Sequence, residues 1–130
     1  MKNYPQLITD LKGLLRNLRG GTPEVMKAFA SMAQAATTAK ALDAKTKELI
    51  ALGIAVALRC DDCIAFHVKA AAEQGATKEE VSVTLGMAIY MGAGPSVMYA
   101  TGSFHSIRSH RNRRFLRDNR MNDFQSFCSE

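Results

Sequence analysis

Apolar residues recur along this chain at three- and four-residue steps, and no stretch shows the alternation of period two that a half-buried strand needs. Leu7, Leu11, Leu14, Leu15 and Leu18 form one such stripe, which predicts an amphipathic first helix closed by Gly20-Gly21. Thr22-Pro23-Glu24 restarts the chain with an N-cap, a proline at the first helical position and an acid in the first turn. Val25, Met26, Phe29, Met32 and Ala33 are the expected buried face of this second helix, which fades at Thr37-Thr38. Asp43 can cap a third over residues 45–58, polar for one turn and then almost wholly apolar, so its second half is expected to be buried all round.

A fourth helix enters through Cys60-Asp61-Asp62, carries Phe66, Val68, Ala70 and Ala71, and stops at Gly75. Thr77-Lys78-Glu79-Glu80 is a capping box for a fifth, with Val81, Val83, Leu85, Met87, Ala88 and Met91. Gly92-Ala93-Gly94-Pro95 breaks the pattern. A sixth helix from Pro95 then takes Val97, Met98, Ala100, Thr101, Phe104 and Ile107 into an arginine-rich segment. Beyond Met121 the chain is expected to fray, with Phe124 and Phe127 available to dock on a neighbour. The expectation is an all-α single domain, a bundle of five to six main helices over residues 1–121, with a C-terminal tail at 122–130.

Composition supports packed helices. Of 130 residues, 47% are hydrophobic, with no Trp and three Pro, and a chain of this length buries a core without disulfides. Apolar faces this extensive exceed what one small core hides, so assembly into a cyclic or dihedral homo-oligomer is expected. Residues 1–20 carry Lys2, Asp10, Lys12, Arg16 and Arg19, which leaves no uninterrupted signal-peptide core. The longest apolar run, 49–58, is ten residues, short of the ~20 a membrane span needs. With three cysteines, too few for a disulfide framework, these features point to a soluble protein of the reducing cytoplasm.

The net charge of +5 is unevenly placed. Arg108, Arg111, Arg113, Arg114, Arg117 and Arg120 face only Asp118 between His105 and Met121. Such an arm can attract nucleic acid, anionic lipid or an acidic protein surface, or it is a solvated helix face or a subunit contact. Phe104, Phe115 and Phe124 are too widely spaced for base stacking and no nucleic-acid motif occurs, so nucleic acid is not the expected partner.

The chemistry concentrates in Cys60-Asp61-Asp62-Cys63-Ile64-Ala65-Phe66-His67. On a helix the two cysteines share a face at i, i+3 and His67 stands one turn beyond Cys63 at i+4. The thiolate is the reactive form of cysteine, and the positive end of a helix beginning near Cys60 favours it, whereas Asp61 and Asp62 oppose it. His67 can take the proton of Cys63, which makes Cys63 the better attacking sulfur and leaves Cys60 to close a disulfide. Two plainer readings compete: cysteines that merely pack beside a core histidine, and a zinc site. For zinc the fourth ligand is missing, since His105 and His110 lie among arginines and Cys128 has no nearby cysteine. A thioredoxin is excluded because its motif belongs to a βαβ context.

Glu48, separated from Cys60 by eleven residues, completes a pattern with Cys60, Cys63 and His67 that is similar to the motif of the AhpD-like branch of the carboxymuconolactone decarboxylase superfamily. The likeness runs from about Lys45 to Tyr99. It implies an all-helical fold assembled into trimers or hexamers, and reduction of a small hydroperoxide by a cysteine pair. No tightly bound cofactor is implied; an external dithiol, lipoamide-like or thioredoxin-like, recycles the disulfide. By the resemblance Cys63 attacks the peroxide, Cys60 resolves the sulfenic acid, and Glu48 with His67 relays the proton. By itself, between charged neighbours in a solvated first turn, Glu48 reads as a surface charge. The chain departs from AhpD in carrying a single motif-bearing unit, and in having Asp61-Asp62 where AhpD places a histidine before the second cysteine. Two other functions remain open: a lactone decarboxylase using His67 and Glu48 as acid and base, which needs no dithiol, and a redox-sensing module whose basic arm binds a partner.

Overall fold

In the computed structural model, which describes residues 2–112, five helices follow one another and no strand occurs among the described residues. They are α1 (Tyr4–Gly21), α2 (Pro23–Thr37), α3 (Ala44–Ala57), α4 (Asp61–Glu73) and α5 (Lys78–Asn112). The expected boundary at 121, Arg113, Arg114, Phe115, Arg117, Arg120, Phe124, Phe127 and Cys128 lie outside the described residues, as do the side chains of Arg108, His110 and Arg111.

Local hydrogen bonds set the helix starts. The Asp43 carboxylate accepts the Thr46 N–H at 2.7 Å, and Thr77 and Glu80 form a reciprocal capping box, with Glu80 N–H to the Thr77 hydroxyl at 3.1 Å and Thr77 N–H to the Glu80 carboxylate at 2.8 Å. Glu80 also receives Lys45 at 2.6 Å, which ties the first turns of α3 and α5 together. Thr22 precedes Pro23 as expected but makes no side-chain cap; its hydroxyl donates instead to the Leu18 carbonyl at 3.0 Å, closing α1.

Two helices end in the same motif. After α4, Gly75 takes φ 81°, its N–H bonds Ala72 O at 3.1 Å, and Ala76 N–H bonds Ala71 O at 2.9 Å. After α3, Arg59 takes φ 61°, its N–H bonds Val56 O at 3.1 Å, and Cys60 N–H bonds Ala55 O at 3.0 Å. An arginine therefore occupies the left-handed position where glycine is unstrained, immediately before Cys60.

The expected separation of a fifth and a sixth helix is a kink within α5. Ala93 has φ 53° and ψ −152°, and Pro95 has no N–H to continue the ladder, so arms 78–92 and 94–112 meet there. The kink packs on α3 because Gly92 lacks a side chain: a Cβ would fall 1.9 Å from Ser96 Oγ and 3.5 Å from Ala57 Cα. By length and composition Lys78–Ile107 is apolar enough to cross a membrane, although no unbroken apolar run in the sequence reaches that length. Ala93 interrupts this span, and its Val81, Leu85, Ala88, Ala100 and Ile107 lie in the core.

That core joins Leu52, Ala55 and Val56 of α3 to Ile64, Ala65, Val68 and Ala71 of α4 and the buried residues of α5, with Tyr4 and Ile8 added by α1. Three sequence expectations are corrected here. The α1 leucine stripe docks only in part: Leu7 packs on the core beside the buried Tyr4 and Ile8, Leu11 and Leu15 are half-buried, and Leu14 and Leu18 are exposed. On α2 only Ala30 and Ala33 are buried, and Val25, Phe29 and Met32 face outward. The second half of α3 is not buried all round, since Ile50, Ile54 and Leu58 are exposed, as are Val83, Met87 and Met91 on α5. The cause is shared: α3, α4 and α5, with Tyr4 and Ile8 of α1, complete the core, and none of the described residues covers their outer apolar stripes.

Gly92→Ala should cost about 1–3 kcal/mol of stability, and much of it should return in Gly92→Ala/Ser96→Ala, because Ser96 Oγ has no hydrogen-bond partner to lose. Gly86→Ala, with nothing near its Cβ position, should be neutral or stabilise. Arg59→Gly should stabilise by about 1 kcal/mol through relief at the left-handed position. Urea unfolding of the reduced variants measures all four.

Candidate active site

Glu48 lies on the inner face of α3, only 7% exposed, in spite of its polar sequence neighbours. A carboxylate so covered needs a partner, and its Oε2 lies 2.8 Å from Nδ1 of His67 on α4. With Glu48 ionised, Nδ1 carries the proton and donates, which makes Nε2 the basic nitrogen of the neutral ring. The pair is half-buried to buried, with side-chain exposures of 10% for Glu48 and 16% for His67. Glutamate on one helix thus fixes the tautomer and orientation of an imidazole on the next.

One turn earlier on α4 are the cysteines. Cys60 is the N-cap of α4 with an extended backbone, and its Sγ accepts the Cys63 N–H at 3.3 Å. Cys60 and Cys63 are joined as a disulfide, with Cα atoms 5.3 Å apart, inside the ordinary range for such a bridge. The Cys60 sulfur thus sits at the positive end of α4, where it receives the Cys63 N–H. Neither sulfur is a thiolate ligand while the bridge is closed. Among the described residues no group of three His, Cys, Asp or Glu side chains is gathered as a metal site.

Of the four residues expected at the site, Glu48 and His67 meet across α3 and α4, and Cys60 and Cys63 are bridged at the start of α4, with Cys63 one turn before His67. Two more were not expected. The Lys2 ammonium donates to Asp61 Oδ2, and the Tyr4 hydroxyl donates to Asp61 Oδ1 at 3.4 Å. Tyr4 is 3% exposed. Burial foremost, and then the Asp61 charge, push its phenol up to about 12, so it stays protonated and can donate. Lys2, Tyr4 and Asp61 also line a cavity of about 470 Å³ with Met98, Tyr99, Thr101 and Gly102. These contacts join residues 57 and 59 positions apart, and no motif in the sequence signals them.

The sequence profile of the carboxymuconolactone decarboxylase family matches residues 23–105. The chain belongs to that family. A solved family member from Legionella pneumophila, a crystal structure in the apo form, is 46% identical, with a TM-score of 0.79 over 82% of this chain and 96% of that one. An uncharacterized protein of Cupriavidus necator is 39% identical over 72% of this chain and 83% of its own length. The uncharacterized protein 4 in the cox locus of Paracoccus denitrificans is 37% identical over 56% of this chain and 66% of its own. The matched region of the family profile contains Glu48, Cys60, Cys63 and His67, and the cysteine pair is consistent with its AhpD-like branch.

The Tyr4 phenol gives a pH test of α1 docking. Its folded pKa of about 12 lies above the ordinary tyrosine value of 10.0, so its contribution is complete below pH ~10 and is lost as pH rises toward ~12. Thermal unfolding of the wild type should therefore lose more stability across that window than Tyr4→Phe does.

Proposed function

We propose that this protein is a thiol-dependent peroxidase and disulfide reductase in which Cys60 and Cys63 cycle between dithiol and disulfide. One observation carries the reading: a bridged cysteine pair at a helix start lies one turn from an imidazole held by a buried carboxylate. In the reduced enzyme His67 takes the Cys63 proton, and the thiolate attacks the outer oxygen of a hydroperoxide. The O–O bond breaks, Cys63 becomes a sulfenic acid, and the leaving alkoxide takes the proton from His67 to depart as the alcohol. Cys60 then attacks the sulfenic sulfur, water leaves, and the disulfide forms. The N–H donated to Cys60 and the adjacent helix end favour the thiolate this second step needs. An external dithiol, lipoamide-like or thioredoxin-like, reduces the bridge and is itself oxidised to a disulfide, and no bound cofactor takes part.

The working unit is a homo-oligomer, a trimer or hexamer. An apolar groove of about 570 Å³ between α3 and α5, lined by Leu49, Ile50, Ile54, Val83, Met87 and Met91 among others, supports this. So does the uncovered face of α2, because exposed apolar surface on this scale marks an interaction site.

The test is a free-thiol count with intact mass on reduced protein before and after one equivalent of cumene hydroperoxide. Two thiols should disappear, return with dihydrolipoamide or dithiothreitol, and persist in Cys63→Ser. Dimedone should label Cys63 in Cys60→Ser. Glu48→Gln should slow the peroxide step by roughly 10²-fold, the lower end for a lost acid–base relay. Thiols inert to peroxide, with lactone decarboxylation that survives Cys60→Ser, would replace this reading by the acid–base one.

A further inference from the structure

Two carboxylates follow Cys60 directly, and negative charge beside a thiol favours its protonated, unreactive form. Asp62 is exposed and screened by water. Asp61 is largely covered, with 24% of its side chain exposed, so its field reaches the sulfurs partly through protein. Both of its oxygens are engaged from the start of the chain, Oδ2 by Lys2 and Oδ1 by Tyr4. Tyr4 is locked in place: a Cβ on Gly102 of α5 would lie 2.8 Å from its hydroxyl and 3.0 Å from its ring. Lys2 also stands 5.6 Å from the centre of the Tyr99 ring. Its ammonium is held above the usual lysine range, chiefly by the hydrogen bond to Asp61, against a smaller opposing effect of desolvation.

We propose that Lys2 and Tyr4 are positioning residues for the dithiol: by occupying the Asp61 carboxylate they keep the more acidic of the Cys60 and Cys63 thiols ionised nearer neutrality than Cys-Asp-Asp-Cys alone would allow. The start of α1 is thereby part of the redox site although it reaches neither sulfur. Among the described residues, the other charged or titratable groups at this corner are Glu48 of α3, Arg59 in the α3–α4 turn, Asp62 and His67 of α4 and Tyr99 of α5. A unit charge about 6 Å away in water moves a pKa by roughly half a unit, which is about a threefold change in thiolate fraction below the pKa. The proposal deepens the reading of Cys60 and Cys63 as a working dithiol, but its test uses no peroxide.

Reduced protein is titrated by ultraviolet thiolate absorbance, and its alkylation rate by iodoacetamide is followed against pH. Lys2→Ala should raise the lower thiol pKa by about half a unit and slow alkylation near neutrality about threefold, Lys2→Arg should restore the wild-type profile, and Tyr4→Phe should shift it less in the same direction. In an Asp61→Asn background Lys2→Ala should produce no shift. An unchanged pKa in Lys2→Ala, or an equal shift with and without the Asp61 carboxylate, would overturn the proposal. Peroxide reduction is assayed separately, so an inert wild type removes the peroxidase reading and leaves the thiol titration standing.

Discussion

The hydrogen bond between the Glu48 carboxylate and the His67 ring is the constraint around which the molecule is arranged. Taking an ion out of water costs several kcal/mol unless a partner replaces the lost solvation, and Glu48 is almost wholly covered. His67 supplies that partner only while α3 and α4 lie side by side at this level. The same placement sets the imidazole one turn beyond Cys63, so the contact that makes the buried carboxylate tolerable also places the His67 ring next to the cysteine pair.

The turn between those helices carries strain immediately before Cys60. Two successive helices close with identical backbone hydrogen bonds, one through Gly75 and the other through Arg59. Glycine adopts that conformation freely, whereas arginine does so against the clash of its Cβ with the carbonyl. The second of the two bonds uses the N–H of Cys60, so the end of α3 directly sets the cap of α4 and the position of its sulfur.

The outer surface follows from how little of the chain the core consumes. Small residues such as Ala55, Ala65, Ala71 and Ala88 let α3, α4 and α5 approach closely around Leu52, Val56, Ile64 and Leu85, while Ile50, Ile54, Val83, Met87 and Met91 on α3 and α5 point away. α2 contributes two alanines to burial and is held at its C-terminus by Lys47, which donates to Ala36 O and Thr38 O at 2.7 Å each. A helix tethered by such polar contacts with its apolar face outward is suited to packing against another chain.

Much of this architecture was legible in the sequence because it is local. The caps at Asp43, Thr77 and Glu80, the stop at Gly75 and the break before Pro95 depend on residues within a few positions of one another, and hydrogen bonds of that range form in any context that permits the helix. The pairing of Cys63 with His67 was legible for the same reason, as one face of one helix, with Cys60 at its cap. Which apolar stripes face inward was not: Leu14 and Leu18 of α1, Phe29 of α2 and Ile54 of α3 have the spacing of buried residues, and periodicity marks a face without naming what covers it. Nor did local pattern reveal the burial of Glu48 or the hold of Lys2 and Tyr4 on Asp61. Those depend on side chains brought together across many residues, and only the packing of whole helices decides which charges leave water and which partners meet them there.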